Sequence, residues 1–308
     1  MSPSGAVEKG GAAAASTADA WLTLADGRRV WGRFGAAGLL LRRQTGEVLL
    51  QHRVAWSHFG GTWGLPGGAR LAGESALAAA LREAAEEASV PAAAVRPLFC
   101  SVTDFGGWTY STVAAAEVGT VHPVIADRES QELAWVPTDR VDAMSLHPGF
   151  AAAWPRLRAE LNRPRTLLID AANVVGSRPD GWWRDRAGAT ERFATELTAL
   201  ARAGMPGDSL DTELDRVWPE IILVLEGEAR AARLDLSVGA QVILAPADGD
   251  SELLREVTRQ RHRNGAADIV AVTADRALRA QLERAGARTR SPGWLRGLLY
   301  PAVAINRS

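Results

Sequence analysis

The amino-acid sequence predicts an α/β protein of two domains, and three observations carry the prediction. The chain has 308 residues, about twice the ~150 typical of one domain. Strand-like runs alternate with helical stretches along its length. In the second half the strand-like runs are largely apolar: TLLI at 166–169, IILVL at 221–225, QVIL at 241–244 and IVAVT at 269–273. Such strands, alternating with helices, argue for a parallel sheet covered on both faces.

The elements follow in order. Residues 1–19 are small and polar, lack the basic start and apolar stretch of a secretory signal, and read as a flexible tail on a cytoplasmic protein. WLTLADGRRVWGR at 21–33 reads as two short strands around an Asp26-Gly27 turn. GLLLRR at 38–43 and EVLLQHR at 47–53 read as strands joined by the turn QTG, followed by a Gly/Trp-rich loop. A helix is expected from about Ser75, its N-cap, to Ala88, with Leu77, Leu81, Ala84 and Ala88 as its apolar stripe. Strands return at 98–103, 108–118 and 133–136, and a helix at 150–161 leads into a polar cluster at Pro164, the expected domain boundary. This gives a first domain at 20–163 and a second at 165–308. In the second, helices are expected near 191–202, 251–261 and 276–284, between the apolar strands.

Composition excludes several classes. With 35 basic and 36 acidic residues the net charge is −1, and neither half is basic, so no global field attracts nucleic acid or anionic lipid. A single cysteine, Cys100, excludes a disulfide framework and a Cys-cluster zinc site. No apolar run approaches the ~18 residues of a membrane span, so no membrane partner is expected.

The segment most informative about chemistry is the glycine-rich loop ending in Gly67-Gly68 and the helix after it. On that helix Glu83, Glu86 and Glu87 stand at i, i+3 and i+4 and share one face. Three crowded carboxylates repel one another unless cations neutralise them, and hard oxygen ligands suit Mg²⁺ or Mn²⁺ bound together with substrate phosphates. The glycines let backbone groups approach ions and phosphates closely. By itself an acidic run is more often a solvated helix face. Here it sits within a longer pattern: Gly68, Glu74, Arg82, Glu83, Glu86, Glu87 and Val90 resemble the Nudix box, G-x5-E-x7-R-E-U-x-E-E-x-G-U with U apolar. The resemblance covers about residues 35–160. Two positions depart: Ala84 is small for an apolar U position, and Ser89 replaces the glycine that ends the helix, where a left-handed conformation costs a non-glycine residue roughly 1 kcal/mol.

The resemblance implies an α/β/α sandwich with a mixed sheet and hydrolysis of a nucleoside diphosphate linked to another moiety. It implies that Glu83, Glu86 and Glu87 bind divalent ions with the Gly67 carbonyl, and that Arg82 and Glu74 pair to hold the loop against the helix. Glu83 is one candidate general base. Glu129 resembles the extra acid many Nudix enzymes supply from a later loop, with Glu132 as its rival. Trp63, Phe105, Trp108 and Tyr110 are candidates for stacking a base, although strand aromatics more often belong to the core. His52 and His58 read as surface or loop residues without a metal role. The leading expectation is pyrophosphohydrolysis of 8-oxo-dGTP or another (d)NTP, with ADP-ribose or another nucleoside-diphosphate sugar as the alternative substrate class.

In the second half, acids follow strands: Asp170 after TLLI with Asn173 beyond it, Glu226 after IILVL, Asp248 and Asp250 after QVIL, and Asp275 after IVAVT. In parallel sheets ligands gather at the carboxyl ends of strands, although Asp250 and Asp275 also suit helix N-caps. The pieces IDAANVV, DGDSELL and VTADRALRAQLERAGAR resemble a PIN-like (Rossmannoid) nuclease domain of the NYN type. That resemblance implies a second metal site at Asp170, Asn173, Asp250 and Asp275, with Glu226 a weaker match, acting on RNA. Arg255, Arg259, Arg261, Arg263, Arg276 and Arg279 are candidates for a local basic rim, or for an ordinary solvated face. Trp182 and Trp183 are read as plugging the sheet's edge rather than stacking a base. Two further readings compete: a nucleotide-responsive regulator without turnover, and an RNA-processing nuclease whose first domain grips a 5′-phosphorylated end.

Overall fold

The structure is a computed structural model describing residues 20–178, 181–234 and 240–305; the expected tail at 1–19 lies outside them. Its described residues form two compact units, 20–157 with 213–215 and 158–212 with 216–305.

The first unit opens with an antiparallel hairpin, β1 (Trp21–Thr23) and β2 (Arg29–Trp31). Gly27 takes the positive φ its turn needs, and Asp26 accepts from the Arg28 amide. Next come β3 (Ala36–Arg42), β4 (Glu47–Arg53), β5 (Trp63–Gly64), β6 (Gly67–Ala69), α1 (Ala76–Ala88), β7 (Val95–Asp104), β8 (Thr109–Glu117), β9 (Ser130–Pro137) and α2 (Pro148–Leu161). Among the described residues of this unit the order is β7-β8-β3-β4-β5, with β6 added to β3 and β9 to β4. β3 and β8 run parallel and their neighbours antiparallel, so the sheet is mixed. Leu39, Leu40, Leu41, Leu49, Leu50 and Val113 are buried in its core.

α1 begins where expected: the Ser75 side chain accepts from the Ala78 amide. Its buried face differs from the stripe expected of it. Ala79, Ala80, Ala84, Glu87 and Ala88 are buried, while Leu77 and Leu81 flank them half-buried. Small residues let a helix approach a sheet closely, and that proximity takes precedence over burying the larger leucines. At its end Ser89 does adopt the left-handed conformation, φ 54°, with the Val90 amide bonded back to the Ala84 carbonyl. This is the termination a glycine would give, made at a non-glycine residue. The Ala88 and Glu87 carbonyls accept from the amides of Val124 and Ala126, a distant loop.

The second unit contains β10 (Arg165–Asp170), α3 (Ala171–Gly176), α4 (Arg186–Ala203), the short pair β11 (Met205–Pro206) and β12 (Arg216–Val217), then β13 (Glu220–Leu225), β14 (Ala240–Leu244), α5 (Gly249–Arg263), β15 (Asp268–Val272), α6 (Arg276–Arg284), β16 (Arg288–Arg290) and α7 (Pro292–Ile305). Its sheet runs β14-β13-β10-β15-β16, every neighbouring pair parallel. The parallel sheet foreseen from the apolar runs is therefore present. β10, β13 and β15 are buried almost throughout, whereas the edge strand β14 leaves Val242 and Leu244 exposed, so cover on both faces stops short of that edge.

Candidate active site

The loop and helix of the first unit are held together by one arginine. Arg82 meets Glu74 with two donors, Nε to Oε1 at 3.0 Å and Nη2 to Oε2 at 2.9 Å. Its Nη1 reaches Glu83 Oε1 at 2.6 Å and Glu86 Oε2 at 3.5 Å, and Nη2 also reaches the Ala69 carbonyl at 2.9 Å. Five donors in a planar fork allow one guanidinium to serve a loop acid, a backbone carbonyl and helix acids together. Glu74 in turn accepts from the Leu71 amide, and Arg82 holds its carboxyl below the ordinary carboxylate value.

The glycines are needed sterically. A Cβ on Gly68 would stand 2.6 Å from Glu83 Oε2, and one on Gly67 would meet the Ala37 carbonyl oxygen at 2.5 Å. Loop backbone and helix carboxylate thus occupy space that any side chain would take. The Gly67 amide donates to Glu87 Oε2 at 2.8 Å, fixing the third acid to the same loop.

Glu87 is buried, and burial pushes its carboxyl up to about 8, with the nearby charges of Glu83 and Asp127 adding to the rise. Glu83 is raised too, chiefly by burial, while Arg82 opposes the shift. Glu86 is exposed. Among the described residues no three His, Cys, Asp or Glu side chains stand gathered as a ready metal-binding group. The donor set nevertheless fits a hard divalent cation. It is all oxygen, and a cation would relieve a carboxylate whose charge is disfavoured by burial and by its acidic neighbours.

Of the later acids, Glu129 lies 3.9 Å from Arg53, largely exposed, and Glu132 is exposed on β9 opposite His52. Sequence reasoning missed Asp127, whose charge acts on Glu87. Asp127 Oδ1 accepts from the Ser130 hydroxyl at 2.7 Å, and the buried Gln51 amide donates to that hydroxyl, also at 2.7 Å. Its one local signal is the D-x-x-S spacing. Arg53 was missed as well. A β-bulge between His52 and Arg53 on β4 shifts the register there, and bulges re-aim side chains beside sites. Of the candidate stacking aromatics, Trp108 is a core residue whose Nε1 donates to the Gly32 carbonyl, and Tyr110 packs against Gly38. Trp63 stacks on His52 at 4.8 Å, and Phe105 lies beside Trp108 with Arg28 over its ring.

In the second unit the sheet's order reverses between β10 and β15, where ligands collect in open parallel sheets. Asp170 ends β10 there. It accepts from the Asn173 amide and side chain, at 3.0 and 2.7 Å, and from the Thr273 hydroxyl at 2.8 Å. Burial raises its carboxyl, and the charge of Glu226 adds to this. The carboxyl of Asp250 is raised chiefly by desolvation, and the charges of Asp170, Asp275, Glu226 and Asp248 add to the rise. Asp275 caps α6 through the Leu278 amide. The cap of α5 is Asp248, bonded to the Ser251 amide, and not Asp250, which lies in the first turn and is left facing the other acids. The expected basic rim is largely engaged elsewhere: Arg255 pairs with Glu252, Arg259 with Glu256, Arg261 with the Gly265 and Gly286 carbonyls, and Arg279 with Thr289. Trp183 is 57% exposed, so it plugs nothing, and Trp182 lies beneath the Arg186 guanidinium.

The loop, the arginine brace and the acidic helix on a mixed sheet form the candidate site, and comparison with known proteins gives the family of the chain. The NUDIX domain profile matches residues 32–157, and the chain belongs to the Nudix hydrolase family, whose members generally use divalent metal ions. The protein named "Putative 8-oxo-dGTP diphosphatase 3" of Mycobacterium tuberculosis is 49% identical over 185 residues, spanning 52% of this chain and 84% of that one. A "Nucleoside triphosphate pyrophosphatase/Nudix hydrolase fusion protein" of Bifidobacterium longum is 42% identical over 156 residues, spanning 48% of this chain and 32% of that one. The crystal structure of a Nudix hydrolase of M. smegmatis, RenU, is 49% identical, covering 46% of this chain and 93% of that one with a TM-score of 0.43. No helix among the described residues is long and apolar enough to cross a membrane.

Proposed function

We propose that the domain at 20–163 hydrolyses the pyrophosphate linkage of a nucleoside triphosphate, 8-oxo-dGTP or another (d)NTP, with Mg²⁺ or Mn²⁺. The observation that carries this reading is Glu87, buried against the Gly67 amide beside Glu83 and raised to about 8. A carboxylate in that setting calls for positive charge. The name of the M. tuberculosis relative favours the 8-oxo-dGTP class. In this reading Glu83, Glu86 and Glu87, with the Gly67 carbonyl and Glu129, hold the ions. When bound, divalent ions neutralise phosphate charge and acidify an attacking water.

The chain's own residues do the rest. Arg82 and Glu74 keep the loop closed on the helix, and Gly68 keeps room for the Glu83 carboxylate. Glu83 takes the water's proton as general base. Asp127, held by Ser130 and Gln51, joins Glu129 as an acid candidate. A panel of nucleotides with Mg²⁺, assayed for phosphate and pyrophosphate release, tests the reading. Pyrophosphate release from 8-oxo-dGTP or another (d)NTP supports it. Turnover of ADP-ribose alone transfers the site to nucleoside-diphosphate sugars, and no turnover of any nucleotide refutes it.

For the domain at 165–308 we propose a PIN-like, NYN-type ribonuclease whose metal site comprises Asp170, Asn173, Asp250 and Asp275, with Glu226 beside them. Support comes from the buried Asp170 at the reversal of strand order and from the charges of Asp170, Asp275 and Glu226 that act on Asp250. Cleavage of single-stranded RNA by the full chain with Mn²⁺, lost in Asp170→Asn, tests it; equal cleavage by that variant overturns it.

A further inference from the structure

Among the described residues the hairpin β1–β2 pairs only with itself, and its residues precede the 32–157 match to the family. Its two strands place Trp21 and Trp31 directly opposite each other, rings 5.3 Å apart, each about two-fifths exposed at 41% and 40%. The Arg29 guanidinium lies 4.8 Å over the Trp21 ring. From Trp21 a row of rings continues into the body of the unit: His58 at 5.2 Å, Phe59 at 4.2 Å from His58, and His147 at 4.7 Å from Phe59. Phe59 holds a left-handed backbone, φ 55°, and its ring is 44% exposed. A bulky residue in that conformation costs energy, which partial burial offsets only in part.

Arg53 connects this row to the carboxylates. Its Nε donates to the His58 carbonyl at 3.2 Å, and its charge acts on His58, His147 and Glu87 alike. Burial, with Arg53 adding to it, holds both imidazoles below their ordinary value, so at neutral pH they present uncharged flat faces. Half-exposed rings in a row, flanked by guanidinium groups and linked through Arg53 to the surroundings of Glu87, have the chemistry of a nucleobase-stacking platform. Their bland alternative is a satellite apolar cluster, which would bury its rings rather than leave Trp21, Trp31 and Phe59 open.

We infer that the hairpin is a substrate-binding element: Trp21, with Arg29 above it and His58 and Phe59 beside it, stacks the nucleobase of the nucleotide whose phosphates lie at Glu83, Glu86 and Glu87. This rests on the pyrophosphohydrolase reading of the first domain and makes Trp21 a specificity-determining residue outside the family's common region. The test uses the full chain. Intrinsic tryptophan fluorescence is followed as dGMP is added without divalent ions, with deoxyribose 5-phosphate as the base-free control. We expect dGMP and not the control to quench, roughly tenfold weaker apparent affinity in Trp21→Leu, and recovery of most of it in Trp21→Phe. With Mg²⁺ and a hydrolysed (d)NTP, Trp21→Leu should raise KM about tenfold and leave kcat within about twofold. Arg29→Gln, which keeps both tryptophans, should weaken dGMP binding in the same direction and so controls for a misfolded hairpin. Equal dGMP affinity in wild type and Trp21→Leu, or no dGMP binding by the wild type, overturns the inference. Failure of the pyrophosphohydrolase reading itself is distinct, being the absence of nucleotide turnover in the wild type.

Discussion

Glu87→Gln should abolish turnover and, in the absence of divalent ions, make the protein more stable. The Glu87 carboxyl stands at about 8 in the fold against an ordinary 4.5. The folded state therefore binds the proton more tightly than the unfolded chain, and stability falls as pH rises from about 4.5 to about 8, then levels off. At pH 7 an unfolded Glu87 is almost fully ionised while the folded one is almost fully protonated, which penalises folding by roughly 3 kcal/mol. A glutamine occupies the same space, still accepts from the Gly67 amide, and carries no such penalty. Thermal melts in EDTA at pH 7 should place the variant about 2–3 kcal/mol above wild type, a rise of roughly 5–10 °C. The gap should shrink toward pH 5, where Glu87 is protonated in both states more nearly alike. Added Mg²⁺ should raise the wild-type melting temperature, because it binds only the folded state, and move the variant much less. A variant melting at or below wild type in EDTA, or a gap that does not change between pH 5 and 8, would refute the reasoning.

Other perturbations separate the parts of the site. Arg82→Ala orphans the Glu74 carboxylate and removes the main neutraliser of Glu83, so it should lower both activity and stability, the latter by about 2 kcal/mol; activity lost at an unchanged melting temperature would make Arg82 a substrate ligand instead. Gly68→Ala places a methyl against Glu83 Oε2 and should lower kcat at least about tenfold while a circular dichroism spectrum stays that of the wild type. Ser89→Gly relieves the left-handed serine at the end of α1 and should stabilise by roughly 1 kcal/mol without changing kcat, as urea unfolding and steady-state kinetics would measure.

What was legible in the sequence was local. The Ser75 cap, the run of α1 to Ala88, the hairpin at Asp26-Gly27 and the apolar runs that make the strands of the second unit all depend on neighbours in the chain. So does the pattern from Gly68 to Val90, because loop and helix adjoin. Asp127 and Arg53 were not legible, since their placement depends on Ser130 and Gln51 across strands and on a bulge that no propensity marks. The same holds for the choice of Asp248 over Asp250 as the α5 cap, where two acids one glycine apart compete and only the helix axis decides. The arginines on α5 and α6 read as either a basic rim or a solvated face, because their partners, such as Glu256 and Thr289, are set by helix facing and by a neighbouring strand.

The carbonyls of Glu87 and Ala88 bond to amides of residues 126 and 124, nearly forty positions later in the chain. That delay has a temporal consequence. As the chain leaves the ribosome, α1 can form early, but its last turn has no partner for those carbonyls until the loop beyond β8 has emerged. Glu87 therefore acquires its final surroundings only after the residues of β7 and β8 have been made. Long-range closure of this kind is slow compared with helix formation. The surroundings of Glu87 are thus completed by a step of assembly, and an insertion within residues 119–126 would reach them without touching the helix at all.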